Sequence, residues 1–134
     1  MSLPVVIFPD VELWATGYLR TALAARSEPY AADVYVSNTV PDPRRDTMVQ
    51  VRRDGGPRLD QVREAARLTV NVWAMKEQDA TDLARLVAAL MWAAPDGDPV
   101  LRVDQATGPT PVADPSRQPL RFMSFEVLVR GTDS

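Results

Sequence analysis

Carboxylates, Lys76 and three tyrosines are the ionisable groups left for acid–base chemistry in this sequence, because histidine and cysteine are both absent. That absence removes thiolate nucleophiles, disulfides, Ser-His and Cys-His pairs, the usual zinc sites and the commonest general base near neutral pH. The hydroxyls and carboxylates that remain stand in no activating pattern. Asp96-Gly97-Asp98 resembles the start of a calcium loop, yet the later liganding positions, including the terminal Glu, are missing, so it reads as a turn. Gly55-Gly56 lacks the third glycine and the lysine of a phosphate-binding loop, and turn chemistry accounts for it. The expectation is a non-enzymatic chain with no catalytic set, no metal site and no cofactor.

The other chemistry on offer is recognition. All but one of the basic residues are arginine, whose planar guanidinium suits bidentate pairing at protein interfaces; biased genomic base composition gives the same excess. Arg44 and Arg45 stand beside a proline-rich connector, and Arg52, Arg53 and Arg58 bracket Asp54-Gly55-Gly56. Solvated loop charge and an interface role both fit them. Trp14, Trp73 and Trp92 read as core or helix-face residues. Trp73 stands apart because alternation puts it opposite Leu68, Val70 and Val72, on a face that a subunit contact would cover. A net charge of −3 argues against sequence-nonspecific nucleic-acid binding, which wants a basic surface.

These residues need a scaffold, and periodicity supplies one. Val11, Trp14, Ala15, Tyr18, Leu19, Ala22 and Leu23 draw one apolar stripe on a helix over 11–26, with Asp10 as its N-cap. Glu28-Pro29 ends it. Strands are expected over 33–37 and 47–53, separated by the connector Val40-Pro41-Asp42-Pro43-Arg44-Arg45, and over 68–75 after a long arm that holds Gly55, Gly56 and Arg58. The second and third of these strands are expected to pair antiparallel. A second helix, capped by Asp79 or Thr81, carries Leu83, Leu86, Val87, Leu90, Met91 and Ala94 on one face and stops at Pro95. Strands over 100–104 and 121–130 finish the chain, and 107–119 between them is too proline-rich and irregular to be a strand.

With 134 residues, 46% hydrophobic and 25% charged, the chain has the composition of one soluble globular domain. The apolar run Val5 to Phe8 lacks a basic flank and a cleavage site, and no stretch reaches the roughly 20 apolar residues of a membrane helix, so a soluble, unexported protein is expected. The element order predicts an α+β fold: a mainly antiparallel mixed sheet of four to five strands with both helices packed on one face.

Phe8-Pro9-Asp10, Val40-Pro41-Asp42-Pro43-Arg44, Val51-Arg52-Arg53-Asp54-Gly55-Gly56 and Leu68-Thr69-Val70-Asn71-Val72-Trp73-Ala74, in that order, resemble the tail terminator proteins of long-tailed actinobacterial phages. Gly108-Pro109, Asp114-Pro115, Pro119-Leu120-Arg121-Phe122 and Val129-Arg130-Gly131 continue the resemblance, with Leu120 intervening where the family pattern leads from proline directly to arginine. The resemblance implies a hexameric ring in the neck region of the virion tail, assembled in the host cytoplasm. It implies three kinds of contact: with further copies of itself, with the tail tube protein, and with a head–tail connector or adaptor. Genomic DNA would pass through the lumen without specific binding, helped by inward carboxylates. In that setting the interface candidates are Arg44, Arg45, Arg52, Arg53, Asp54, Gly55, Gly56, Arg58, Trp73, Pro111, Asp114 and Arg121. Competing readings are another neck component, such as a head-completion or connector protein, a small carboxylate-dependent enzyme, and a DNA-binding module.

Overall fold

The computed structural model describes residues 3–133. A short strand β1 (Val6–Ile7) precedes helix α1, which spans Val11–Ala24 and is capped by the Asp10 carboxylate accepting the Leu13 N–H at 3.0 Å. The helix ends two residues before the expected Arg26, whose guanidinium turns instead to Glu28 at 2.7 Å. A 3-10 turn over Pro29–Ala31 leads to β2 (Tyr35–Ser37), then β3 (Met48–Arg53) and β4 (Arg63–Trp73). Helix α2 spans Glu77–Trp92, followed by β5 (Val100–Val112), β6 (Leu120–Arg130) and a short β7 (Thr132–Asp133). Strands β1 and β7 pair antiparallel as a ribbon separate from the main sheet.

The main sheet has five strands in the order β2-β3-β4-β6-β5, with β2–β3 parallel and the remaining neighbours antiparallel. Both helices pack on one face. Val11, Ala15, Leu19 and Leu23 of α1 and Leu83, Ala84, Val87 and Met91 of α2 share one core with Val49, Val51, Leu68, Val70, Val72, Met123, Phe125, Val127 and Val129. Each fully buried Val, Leu or Phe there contributes roughly 1.5–3 kcal/mol through removal from water. Tyr18 of α1 donates its hydroxyl to the Leu90 carbonyl of α2 at 2.6 Å, tying the helices together. This is the expected α+β architecture with a mainly antiparallel sheet. Among the described residues no helix is long and apolar enough to cross a membrane.

Several boundaries differ from the sequence expectation, each for a tertiary reason. Helix α2 starts at Glu77 with Lys76 at the N-cap and no side-chain cap, so neither Asp79 nor Thr81 serves. The buried Arg121 guanidinium does not cap the free N–H groups of that end but anchors it, donating to the Glu77 carbonyl at 3.3 Å and to the Glu77 carboxylate at 2.6 Å, while Glu77 and Asp79 put negative charge in the first turn. Strand β4 begins at Arg63, because β6 offers eleven residues of ladder and the arm folds back along it. The Ala65 N–H donates to the Pro57 carbonyl at 2.9 Å and the Arg67 N–H to the Gly55 carbonyl at 3.0 Å, so 54–59 hugs β4 and does not project. Gly56, with φ +103°, lies so close that a Cβ would overlap the Ala65 carbonyl oxygen and sit 2.7 Å from the Arg67 nitrogen.

Of the proline-rich stretch 107–119 expected to be irregular, 107–112 is the second half of β5, and 113–119 is the irregular turn that follows it. The strand runs thirteen residues, with register shifts between Gln105, Thr107 and Thr110. An edge position makes this possible: Pro109 and Pro111 remove donors that a central strand would need, and the bulges absorb the mismatch.

Candidate interaction surfaces

The face of the sheet away from the helices carries the side chains that alternate with the core. Register aligns them in rows across the strands. Met48, Trp73, Leu120 and Val112 form one row, Gln50, Asn71, Phe122 and Thr110 the next, then Arg52, Thr69, Ser124 and Thr107, then Arg67, Glu126 and Asp104. The rows grade from apolar at one end of the sheet through amide and hydroxyl to charged at the other. Among the described residues no helix covers this face, and Arg52 stands exposed on it.

At the apolar end, two loops that are far apart in sequence meet. The connector before β3 and the turn 113–119 after β5 are joined by Gln118, whose Nε2 donates to the Arg45 and Asp46 carbonyls at 3.1 and 2.7 Å. Its Oε1 accepts from Arg44 Nε and Nη2 at 3.4 and 3.3 Å. Arg44 also approaches the Asp114 carboxylate at 3.5 Å and lies 5.4 Å over the Trp73 ring, while Arg45 lies 5.1 Å over Tyr35. Burial pushes the Asp114 carboxyl up, but the Ser116 hydroxyl and backbone N–H and the Arg44 charge outweigh it and hold the group below the usual aspartate value.

Trp73 is therefore not open to a neighbouring subunit. It is 4% exposed, enclosed with Met48 and Leu120 in a second small cluster that Tyr35 and Val40 flank and Arg44 roofs. Its indole N–H has no partner in hydrogen-bonding geometry. Alternation placed the ring on the correct face; what it could not reveal was that the chain's own connector closes over it. Arg121 is also buried and committed to Glu77, whereas Pro111 lies exposed on the rim of an open cleft shared with Asp114, Arg117 and Arg121.

The arginine-flanked arm lies toward the opposite end of the sheet, roughly 20–25 Å away along β4 at about 3.3 Å per residue. Arg53 pairs with Glu64 at 2.7 Å and donates from Nε to the Gly55 carbonyl at 3.1 Å. Its backbone N–H donates to Glu12 of α1 at 2.8 Å, and Glu12 also accepts from Asn38 at 2.8 Å. Asp54 receives Arg67 at its carbonyl at 3.0 Å, and Arg58 lies 4.6 Å over Phe8. The structure thus groups Arg44, Arg45 and Asp114 with Trp73, and Arg53, Asp54, Gly55, Gly56 and Arg58 with the terminal ribbon.

Sequence reasoning missed Gln118, Glu12 and Arg20, the last of which donates to the outward carbonyl of Val36 at 2.9 Å on edge strand β2. Amides and single charges carry no periodic signal, so only contact reveals them. It also missed the apolar alternation Leu3, Val5, Ile7, which a reading of 5–8 for signal-peptide character passed over. Asp96-Gly97-Asp98 forms a turn in which the Asp96 carboxylate accepts the Asp98 N–H at 3.1 Å, and among the described residues no group of side chains is placed to hold a metal ion. No family model matches the chain, and no curated protein matches its sequence.

Proposed function

We propose that this chain is a ring-forming structural protein at the head-proximal end of a phage tail tube, where it stops tube polymerisation and presents the surface that joins the head. The observation that carries the reading is the pair of chemically different loop clusters at opposite ends of one sheet: Arg44, Arg45, Asp114 and Gln118 at one, the Gly55-Gly56 arm and the terminal ribbon at the other. A ring needs a heterologous contact whose two surfaces differ, and a cap between tube and connector needs two further surfaces that differ from each other. The ordered resemblance along nearly the whole chain points the same way. In this reading copies of the chain form a hexamer, and the partners are tail tube protein on one side and a connector or adaptor on the other.

DNA passing through the ring must not stick to it. The helix-free face carries Arg52, Arg67, Arg102 and Arg130 against Glu126 and Asp104, so it faces neighbouring protein and not the passage, where arginine would trap phosphate. An arginine-lined lumen in an assembled ring would overturn that assignment.

The test is to disrupt the gene during phage production and image the particles. Overlong or unattached tails are expected. Normal tails beside leaking heads would move the protein to a head-completion role, and intact virions would reject both.

A further inference from the structure

An exposed strand of apolar side chains is the least explained surface of the molecule. Leu3, Val5 and Ile7 are 73%, 65% and 60% exposed, while Val6 between them is buried against Gly131. Backbone pairing with β7 covers only Val6 and Ile7; Pro4 before them is exposed, has no N–H, and its carbonyl already accepts from Gln61 Nε2 at 2.7 Å. A two-stranded ribbon this short has little stability of its own, and an unpaired apolar strand is a template for further pairing.

The main sheet offers a matching acceptor. Its β2 edge is short, and Arg20 already occupies the outward carbonyl of Val36, which blunts it. Strand β5, in contrast, pairs only with β6 among the described residues and leaves its outer edge free. Pro109 and Pro111 remove donors from the second half of that edge, while 100–105 contains no proline. Over this half lies Trp92 of α2, 52% exposed, its Nε1 bonded to Gln105 at 3.1 Å. The flanking Ala89 and Ala93 are exposed as well, so the helix side of this half is apolar around Trp92, with Arg85 a turn further along α2 and the Arg102–Asp104 pair on the other face of the strand.

We propose that the N-terminal segment 3–7 of one copy adds, through the backbone of Val5–Ile7, to the outer edge of β5 of a second copy, with its apolar side chains beneath Trp92. Backbone hydrogen bonds would supply affinity, and the uncharged Leu3, Val5 and Ile7 match the apolar patch of Ala89, Trp92 and Ala93, where a charged segment would lose its solvation without a partner. Donor and acceptor are different surfaces, so the contact runs head to tail and each copy has both halves. The inference rests on the ring reading only for closure, since head-to-tail contacts build a ring when the rotation between copies closes and an open filament when it does not.

The absence of native cysteine makes the test direct. Val5→Cys and Gln105→Cys are prepared as separate proteins, mixed, oxidised and resolved by mass, with Ser27→Cys, exposed in the turn after α1, as the control for random collision. The expected result is a Val5→Cys/Gln105→Cys heterodimer that exceeds both homodimers and the control pair, and that falls about tenfold when Ile7→Asp is added to the donor. Circular dichroism checks that Ile7→Asp still folds; because Ile7 is exposed, it should. A Val5→Cys homodimer as the main product, or coupling no better than the control, would overturn the proposal. Particle imaging tests the tail role separately: a heterodimer from a protein whose loss leaves virions intact keeps the contact and removes the role.

Discussion

Gln118 and Asp46 are joined by a 2.7 Å hydrogen bond from the side-chain Nε2 to the backbone carbonyl, across 72 residues of chain. The same carboxamide holds Arg45 and Arg44, so one uncharged residue clamps two loops that each carry arginine. An amide serves here because the site demands donors toward carbonyls and an acceptor toward a guanidinium at once.

Gln118→Ala should cost about 1–2 kcal/mol in chemical denaturation, the loss of several modest hydrogen bonds. Tryptic cleavage after Arg45 and Arg117 should speed up even where the global fold is retained. Gln118→Glu should behave like the alanine variant despite its fit to Arg44, because a carboxylate would face the two carbonyls. Unchanged cleavage would mean that the loops are held elsewhere.

The Asp114 carboxyl lies below its ordinary value in the fold, so the sign of its pH dependence follows from linkage. Its stabilisation is complete above the unfolded aspartate value, near ~3.9, and is lost as pH falls through the lower folded value. Denaturation midpoints measured from pH 6 downward should therefore fall less steeply in the acid range for Asp114→Asn than for the native chain. Parallel profiles would show that the carboxylate contributes nothing.

Two glycines predict opposite outcomes. Gly56→Ala places a methyl group on the β4 backbone and forces a side chain into φ +103°, so a loss above about 2 kcal/mol is expected. Gly17 lies inside α1, with nothing within 4 Å of the point where a methyl group would sit, and should accept alanine with a gain of roughly 0.5–1 kcal/mol from helix propensity. Thermal unfolding of both variants decides.

Removing the Arg20 side chain should expose the outward carbonyl of Val36. A cost of about 1 kcal/mol is expected for Arg20→Ala. Light scattering should also show more self-association at high concentration, since the β2 edge loses its guard.

Much of the fold was legible in local pattern. The stripe Val11, Ala15, Leu19, Leu23 and the N-cap at Asp10 lie within one helix, where a period of 3.6 and a three-residue hydrogen bond are visible along the chain. Val49 and Val51 opposite Met48 and Gln50 follow from the two-residue period of a strand. The interface candidates were legible only in part. Arg44 and Asp114 were each noticed, but nothing in a linear reading could join them, because the joining residue is a glutamine without pattern.

The sequence alone determined the chemistry that is missing, through its lack of histidine and cysteine, and the helices and strand faces, through periodicities that each element carries within itself. Tertiary structure decided what depends on partners far along the chain: that β5 extends through Pro109 and Pro111 because it is an edge, that Arg121 anchors the start of α2, and that the connector closes over Trp73. The physical reason is range. Periodicity and caps act over a few residues, whereas ladder length, burial and loop closure are set by contacts between segments that only folding brings together.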